Sequence, residues 1–176
     1  MAEDSGQLRP LQAAELDIVR EWRNHPEVRR FMYTQHEIGA EEHRAWFERA
    51  QQDPNRHLLL YLHRDEPMGF VNISVVNLAA KRAEWGFYLS PDAPRGSGHR
   101  LGFATLEYVF KTLGLHKLCG EALAFNTRSI RFHERLGFTR EATLRDHHFD
   151  GQSFHDVVGF GLLASDRAAR EGAKVS

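Results

Sequence analysis

The sequence predicts a single α/β domain with a mixed, mostly antiparallel sheet and helices on both faces. Three observations carry that expectation. The chain has 176 residues, about one domain's worth. Apolar residues make up 41% and aromatics 11%, enough to pack a core and to set aside the disordered class. Helix-period and strand-like segments alternate with short connections, and no internal repeat, low-complexity tract or linker interrupts them.

Taken in order, Leu16, Val19 and Trp22 recur at helical spacing, and the segment stops at Asn24-His25-Pro26, where proline discourages continuation. A second helix is predicted over 41–52, because His43, Trp46, Phe47 and Ala50 fall at i, i+3, i+4 and i+7. Residues 58–63 read as a strand, 64–68 as its turn and 69–76 as an antiparallel return. Residues 82–89 read as a third strand, rich in aromatics. Ser90-Pro91-Asp92-Ala93-Pro94 leads through a glycine-bearing turn into a long helix, with Leu106, Val109, Phe110 and Leu113 inward and Gly114 at its end. A strand over 118–125 follows, then Asn126 as N-cap of a helix over 127–136 closed by Gly137. Residues 138–145 and 154–163 should pair across an Asp150-Gly151 turn. The domain is expected to span 1–165, with 166–176 a small, charged, fraying C-terminal tail.

Charge narrows the partners. Lys plus Arg is 23 and Asp plus Glu is 24, a net charge of −1, with a pI near 6.8. That balance argues against nucleic acid or an anionic membrane as partner. One cysteine, Cys119, cannot form an internal disulfide, which suits a reducing compartment. The first ten residues lack an apolar core, and the longest apolar run, 58–62, is far below the roughly 20 residues of a membrane span. A soluble, cytoplasmic protein is expected.

Two segments carry the chemistry. Pro94-Arg95-Gly96-Ser97-Gly98-His99-Arg100-Leu101-Gly102 lies between a strand and a helix. Its glycines allow a concave turn of N–H groups, the helix start adds a positive dipole end, and Arg95 and Arg100 add full charges. Together these suit a pyrophosphate, although an ordinary strand-to-helix turn reads the same way. Further on stands Asn126-Thr127-Arg128-Ser129-Ile130-Arg131-Phe132-His133-Glu134-Arg135-Leu136-Gly137-Phe138. The two segments, in this order and separated by a helix and a strand, resemble the GNAT superfamily of acyl-CoA N-acyltransferases. Its phosphate turn reads Arg/Gln-x-x-Gly-x-Gly/Ala, and its second motif runs Asn-x-x-Ser/Ala-Ile-x-Phe/Leu-Tyr before a Gly-Phe. The resemblance covers residues 8–163. Two positions depart from it: Arg100 stands where the first motif has Gly or Ala, and His133 where the second has Tyr, the family's usual acid for the departing thiolate.

The resemblance implies acetyl-CoA as cosubstrate and no metal. Arg95, Gly96, Ser97, Gly98, His99 and Arg100 should then hold the pyrophosphate, and Asn126 the pantetheine arm. A strand N–H among Phe87, Tyr88 and Leu89 should polarise the thioester carbonyl. His133 takes the place of the acid, with mere packing as the alternative. Glu121 and Glu84 each interrupt an apolar strand, where a buried charge needs a use or a partner. Glu121 is preferred for the amine proton, because the resembling sugar enzymes also carry Glu there.

The front half, with Trp22-Arg23-Asn24-His25-Pro26-Glu27-Val28, Phe31-Met32-Tyr33, His43 and Trp46, is similar to one branch, the nucleotide-sugar N-acetyltransferases of pseudaminic acid biosynthesis. Those act on the 4-amino group of a UDP-linked 4-amino-4,6-dideoxy sugar. Ribosomal-protein N-terminal acetyltransferases share the Trp-Arg-Asn opening. A nucleotide sugar offers a diphosphate to Arg23 or His43, and a base and 6-deoxy edge to Met32, Tyr33 and Trp46, with Ser74 facing the sugar. Core packing for Met32 and Trp46, and a plain strand position for Ser74, are the alternatives. Besides sugar N-acetylation and protein N-terminal acetylation, a CoA-binding module without catalysis stays open, and so does the oligomeric state.

Eleven histidines raise the question of a metal, His147, His148 and His155 above all. Adjacent strand residues point to opposite faces and no ligand spacing is present, so these are expected to decorate a hairpin. Cys119 reads as a small buried hydrophobe, since direct transfer needs no thiol nucleophile.

Overall fold

The computed structural model describes residues 6–173. The strands are β1 (Gln7–Pro10), β2 (Arg56–His63), β3 (Glu66–Asn77), β4 (Arg82–Leu89), β5 (Lys117–Leu123), β6 (Thr139–Phe149) and β7 (Phe154–Leu163). The helices are α1 (Leu16–Asn24), α2 (Pro26–Arg29), α3 (Ala40–Gln51), α4 (Ser97–Glu107), α5 (Thr127–Leu136) and α6 (Ala164–Ala173). Seven strands form one sheet in the order β1-β2-β3-β4-β5-β7-β6. β4 and β5 run parallel, whereas the β1/β2, β2/β3, β5/β7 and β6/β7 pairs are antiparallel. The mixed, mostly antiparallel sheet is as expected. Two compact units share the chain, residues up to 74 with 86–105, and residues 75–85 with those from 106 onward.

In the first unit, α1 buries Leu16, Val19 and Trp22 against Leu58, Leu60 and Leu62 of β2 and Phe70 of β3. It ends because His25, preceding a proline, takes an extended ψ of 133°, and Pro26 then opens α2 at the position where its missing N–H costs nothing. α3 adds Phe47 and Ala50 to the same cluster. The β2/β3 turn is tighter than expected. Arg64 and Asp65 alone make it, both with positive φ (52° and 64°), the twist that two-residue hairpins prefer. Gly69 faces the opposite side, where a Cβ would lie 2.8 Å from Leu101 Cδ1 of α4. Helices therefore cover both faces of this hairpin. β1 has no strand pattern in its four residues and exists by pairing with β2.

In the second unit, the β4/β5 ladder runs from Arg82/Lys117 to Glu84/Cys119, and β7 lies between β5 and β6. α4 continues into a π-helical turn, Tyr108–Thr112, and Gly114 stops it at φ 61°. β6 extends to Phe149, four residues beyond the expected end, and its hairpin is braced by Asp150 Oδ1, which accepts from Gln152 N and Ser153 N at 2.8 Å each. The fraying tail is corrected. Residues 164–173 form α6, and Arg167, only 8% exposed, pairs with Glu107 of α4 and, at 2.9 Å, with Glu171. Small, charged residues concealed one buried anchor.

Candidate active site

The turn after β4 is built on Gly96, whose φ of 87° is a conformation that side chains rarely adopt. Ser97 N donates to Pro94 O and Arg100 N to Gly96 O, both at 3.1 Å. Helix geometry leaves the Gly98 and His99 N–H groups directed out of the helix end. Arg95 and His99 are exposed. Arg100 folds back, its Nη2 donating to Arg95 O at 3.3 Å, beside the place a Gly96 Cβ would occupy. Ser97 is 1% exposed, and its Oγ has no hydrogen-bond partner among the described residues. Outward N–H groups at a helix start, with the guanidinium groups of Arg95 and Arg100 beside them, give this turn the chemistry to hold an anion. Phe87, Tyr88 and Leu89, all half-buried, end β4 just before it.

The expected acceptor residues divide. His43 stacks on Trp46 with centroids 5.1 Å apart, Trp46 meets the edge of Phe70 at 5.9 Å, and Phe70 tilts against Tyr88 at 5.2 Å. Burial raises the Tyr88 phenol well above its ordinary value, opposed by the neighbouring charge of Arg23. Arg23 Nη2 donates to Thr34 O at 3.0 Å, and its Nη1 is buried with no hydrogen-bond partner among the described residues. Burial in turn lowers the Arg23 pKa, the coupling to Tyr88 opposing it. Asn24 clamps the same loop, accepting from Ile38 N at 2.7 Å and donating to Ile38 O at 2.9 Å. The loop so held carries half-buried Met32 and Tyr33, 49% exposed. Trp-Arg-Asn thus has a local cause: Trp22 fills the core while Arg23 and Asn24 fix the loop. Ser74 shares the Phe70 face, about 13 Å further along β3 by strand rise, opposite Arg56.

One acceptor assignment is corrected. His43 is 5% exposed, and burial, then the charge of Arg20, depresses its pKa. A neutral, enclosed imidazole does not bind a diphosphate; it supports Trp46. Phe70, which joins this run of rings, was missed because a phenylalanine in a strand gives no pattern of its own.

The remaining candidates lie in the second unit. Asn126 is an N-cap, its Oδ1 accepting from Ser129 N at 3.1 Å. His133 is 1% exposed, stacked on Phe160 at 4.7 Å and edge-on to Trp85 and Phe138. Burial pulls its pKa down to about 4, partly countered by the bond to Ser129. The imidazolium that an acid role requires is what this enclosure disfavours, which favours packing, the alternative reading of His133. The buried-charge premise for the two glutamates is also corrected, since Glu121 and Glu84 are both exposed. A Cβ on Gly120 would lie 2.6 Å from His133 Nε2, so β5 turns that face toward His133 and, by alternation, Glu121 to the other. The structure does not bring the two together.

Cys119 is half-buried, with burial raising its pKa, a poor setting for a nucleophile. His155 bonds Asp150 at 2.6 Å as a hairpin brace, and His147 and His148 lie on the same hairpin's β6. Among the described residues no group of three or more His, Cys, Asp or Glu could hold a metal, and no helix is long and apolar enough to cross a membrane.

The model of the acetyltransferase (GNAT) domain family matches residues 7–139. Two Campylobacter jejuni proteins named acetyltransferase PseH are 27% and 30% identical over 129 residues, 73% of this chain and 80% of theirs. Spermidine N(1)-acetyltransferase of Escherichia coli K12 is 24% identical over 155 residues, 88% of this chain and 83% of its own. The crystal structure of a Vibrio cholerae spermidine N-acetyltransferase with CoA and spermine shares the fold at 20% identity and a TM-score of 0.86, covering 93% of this chain and 98% of that one. The chain belongs to the GNAT acetyltransferase family and is an N-acetyltransferase enzyme.

Proposed function

We propose that this enzyme transfers the acetyl group of acetyl-CoA to the 4-amino group of a UDP-linked 4-amino-4,6-dideoxy sugar, in pseudaminic acid biosynthesis in the cytoplasm. The observation that carries the acceptor is the wall of Arg23, Tyr88 and Trp46, backed by buried Phe70: a half-buried cation with an unsatisfied Nη1 beside a run of aromatic rings. A cation there repels a polyamine and attracts a diphosphate, and the rings suit a planar base and a 6-deoxy edge. The similarity to the PseH proteins supports the same reading.

In this reading the Arg95 to Arg100 cradle holds the CoA pyrophosphate, and a backbone N–H among Phe87, Tyr88 and Leu89 stabilises charge on the thioester oxygen. Asn126, its Oδ1 spent on the helix cap, offers Nδ2 to the pantetheine. Exposed Glu121 takes the amine proton through water. The neutral amine attacks the carbonyl carbon, the C–S bond breaks, and solvent protonates the thiolate. The experiment is a kcat/KM panel with a UDP-linked 4-amino-4,6-dideoxy sugar, spermidine and a ribosomal-protein N-terminal peptide. The sugar should exceed both others by at least about tenfold, more than 1.4 kcal/mol of transition-state preference. Better turnover of the peptide or of spermidine would replace the acceptor reading.

A further inference from the structure

Asn72 stands on β3 one pleat beyond Phe70, about 7 Å along the strand, and opposite Leu58 of β2. Val71 and Ile73, its chain neighbours, are fully buried on the other face. On its own face, Leu58 and Phe70 belong to the apolar cluster against which Trp46 and Tyr88 pack. Asn72 Oδ1 is buried there without a hydrogen-bond partner among the described residues. Asparagine is depleted in strands, and a buried amide oxygen lacking a donor weakens the free protein. Its amide can turn to present either oxygen or NH2, so it can accept from or donate to a bound group. A lone polar group on an otherwise apolar wall is how small-molecule sites fix orientation.

We propose that Asn72 is a specificity-determining residue, hydrogen-bonding a hydroxyl or amino group of the acceptor that lies along Trp46. This rests on the reading that the acceptor occupies that wall. Folding gains little from the amide, whereas an acceptor that satisfies it is recognised over one that cannot.

The test combines Asn72→Val with the smaller Asn72→Ala. Three quantities are read: Tm of the ligand-free enzyme, Kd for acetyl-CoA, and acceptor KM. The acceptor is the UDP-linked 4-amino-4,6-dideoxy sugar or, if wild type does not acetylate it, whichever of spermidine and the N-terminal peptide it does. Asn72→Val should raise Tm by about 2–4 °C, and both variants should raise acceptor KM about tenfold or more, with Kd for acetyl-CoA unchanged. Melting of both variants below wild type, or an unchanged acceptor KM, overturns the proposal whatever the acceptor is. A wild type inactive on the sugar, with these shifts seen on another amine, overturns only the identity of the acceptor.

Discussion

His133 Nδ1 donates its proton to the carbonyl oxygen of Ser129 across 2.8 Å, one turn back along α5. A carbonyl can only accept, so the neutral ring is the Nδ1–H tautomer. With burial pulling its pKa down to about 4, the ring is neutral at working pH and carries no proton on Nε2 to give. The kcat profile of His133→Phe should therefore keep the alkaline side of wild type, at a rate within about tenfold of it. Loss of rate at every pH, restored by His133→Tyr, would return the proton to this position.

The same pKa sets a stability window. Because the folded value lies below the ordinary 6.5, the contribution is fully present above pH 6.5 and is lost as pH falls through about 4. It amounts to about 3 kcal/mol. Urea denaturation at several pH values should show a decline between pH 6.5 and 4 that is shallower in His133→Phe; equal declines would place the acid sensitivity elsewhere.

The cradle should be separable from the acceptor wall. Arg95→Ala and Gly96→Val should each weaken acetyl-CoA binding about tenfold or more by calorimetry, the first by removing charge, the second by forcing a branched side chain into φ 87°. Acceptor KM should barely change. Full affinity in both variants would move the pyrophosphate away from residues 95–100.

Arg23→Ala and His43→Ala should part company. Arg23→Ala should raise acceptor KM about tenfold with Kd for acetyl-CoA constant. His43→Ala should act through the fold, lowering Tm by several degrees, because it removes an enclosed ring stacked on Trp46. A normal Tm with a selective KM defect in His43→Ala would restore its role as a ligand.

α6 should matter to stability. Arg167→Ala removes a buried guanidinium shared by Glu107 and Glu171, at a cost of about 1–3 kcal/mol, lessened because both carboxylates reach solvent. Truncation after Leu163 should lower Tm at least as much. An unchanged Tm in both would make α6 a passive appendage.

Periodicity determined most of the elements. The spacing of Leu16, Val19 and Trp22, the aromatic strand Arg82–Leu89 and the helix Thr127–Leu136 between Asn126 and Gly137 stand as read, since each is specified by residues close in the chain. The Gly96 turn was legible for the same reason: positive φ at a helix start is a local demand that only a few residues meet. What the chain alone could not convey is which side of an element meets which neighbour. His43 and His133 look reactive in sequence, yet tertiary packing encloses them among Trp46 and Phe160, and desolvation then decides their charge. Glu121 looks buried among apolar neighbours, yet strand alternation turns it outward. β1 and α6 likewise depend on partners 40 or more residues away, Leu59 to Leu62 for β1 and Glu107 for α6. Short-range backbone preferences are written in neighbouring residues; burial, and with it the chemistry of a side chain, is a property of everything that packs around it.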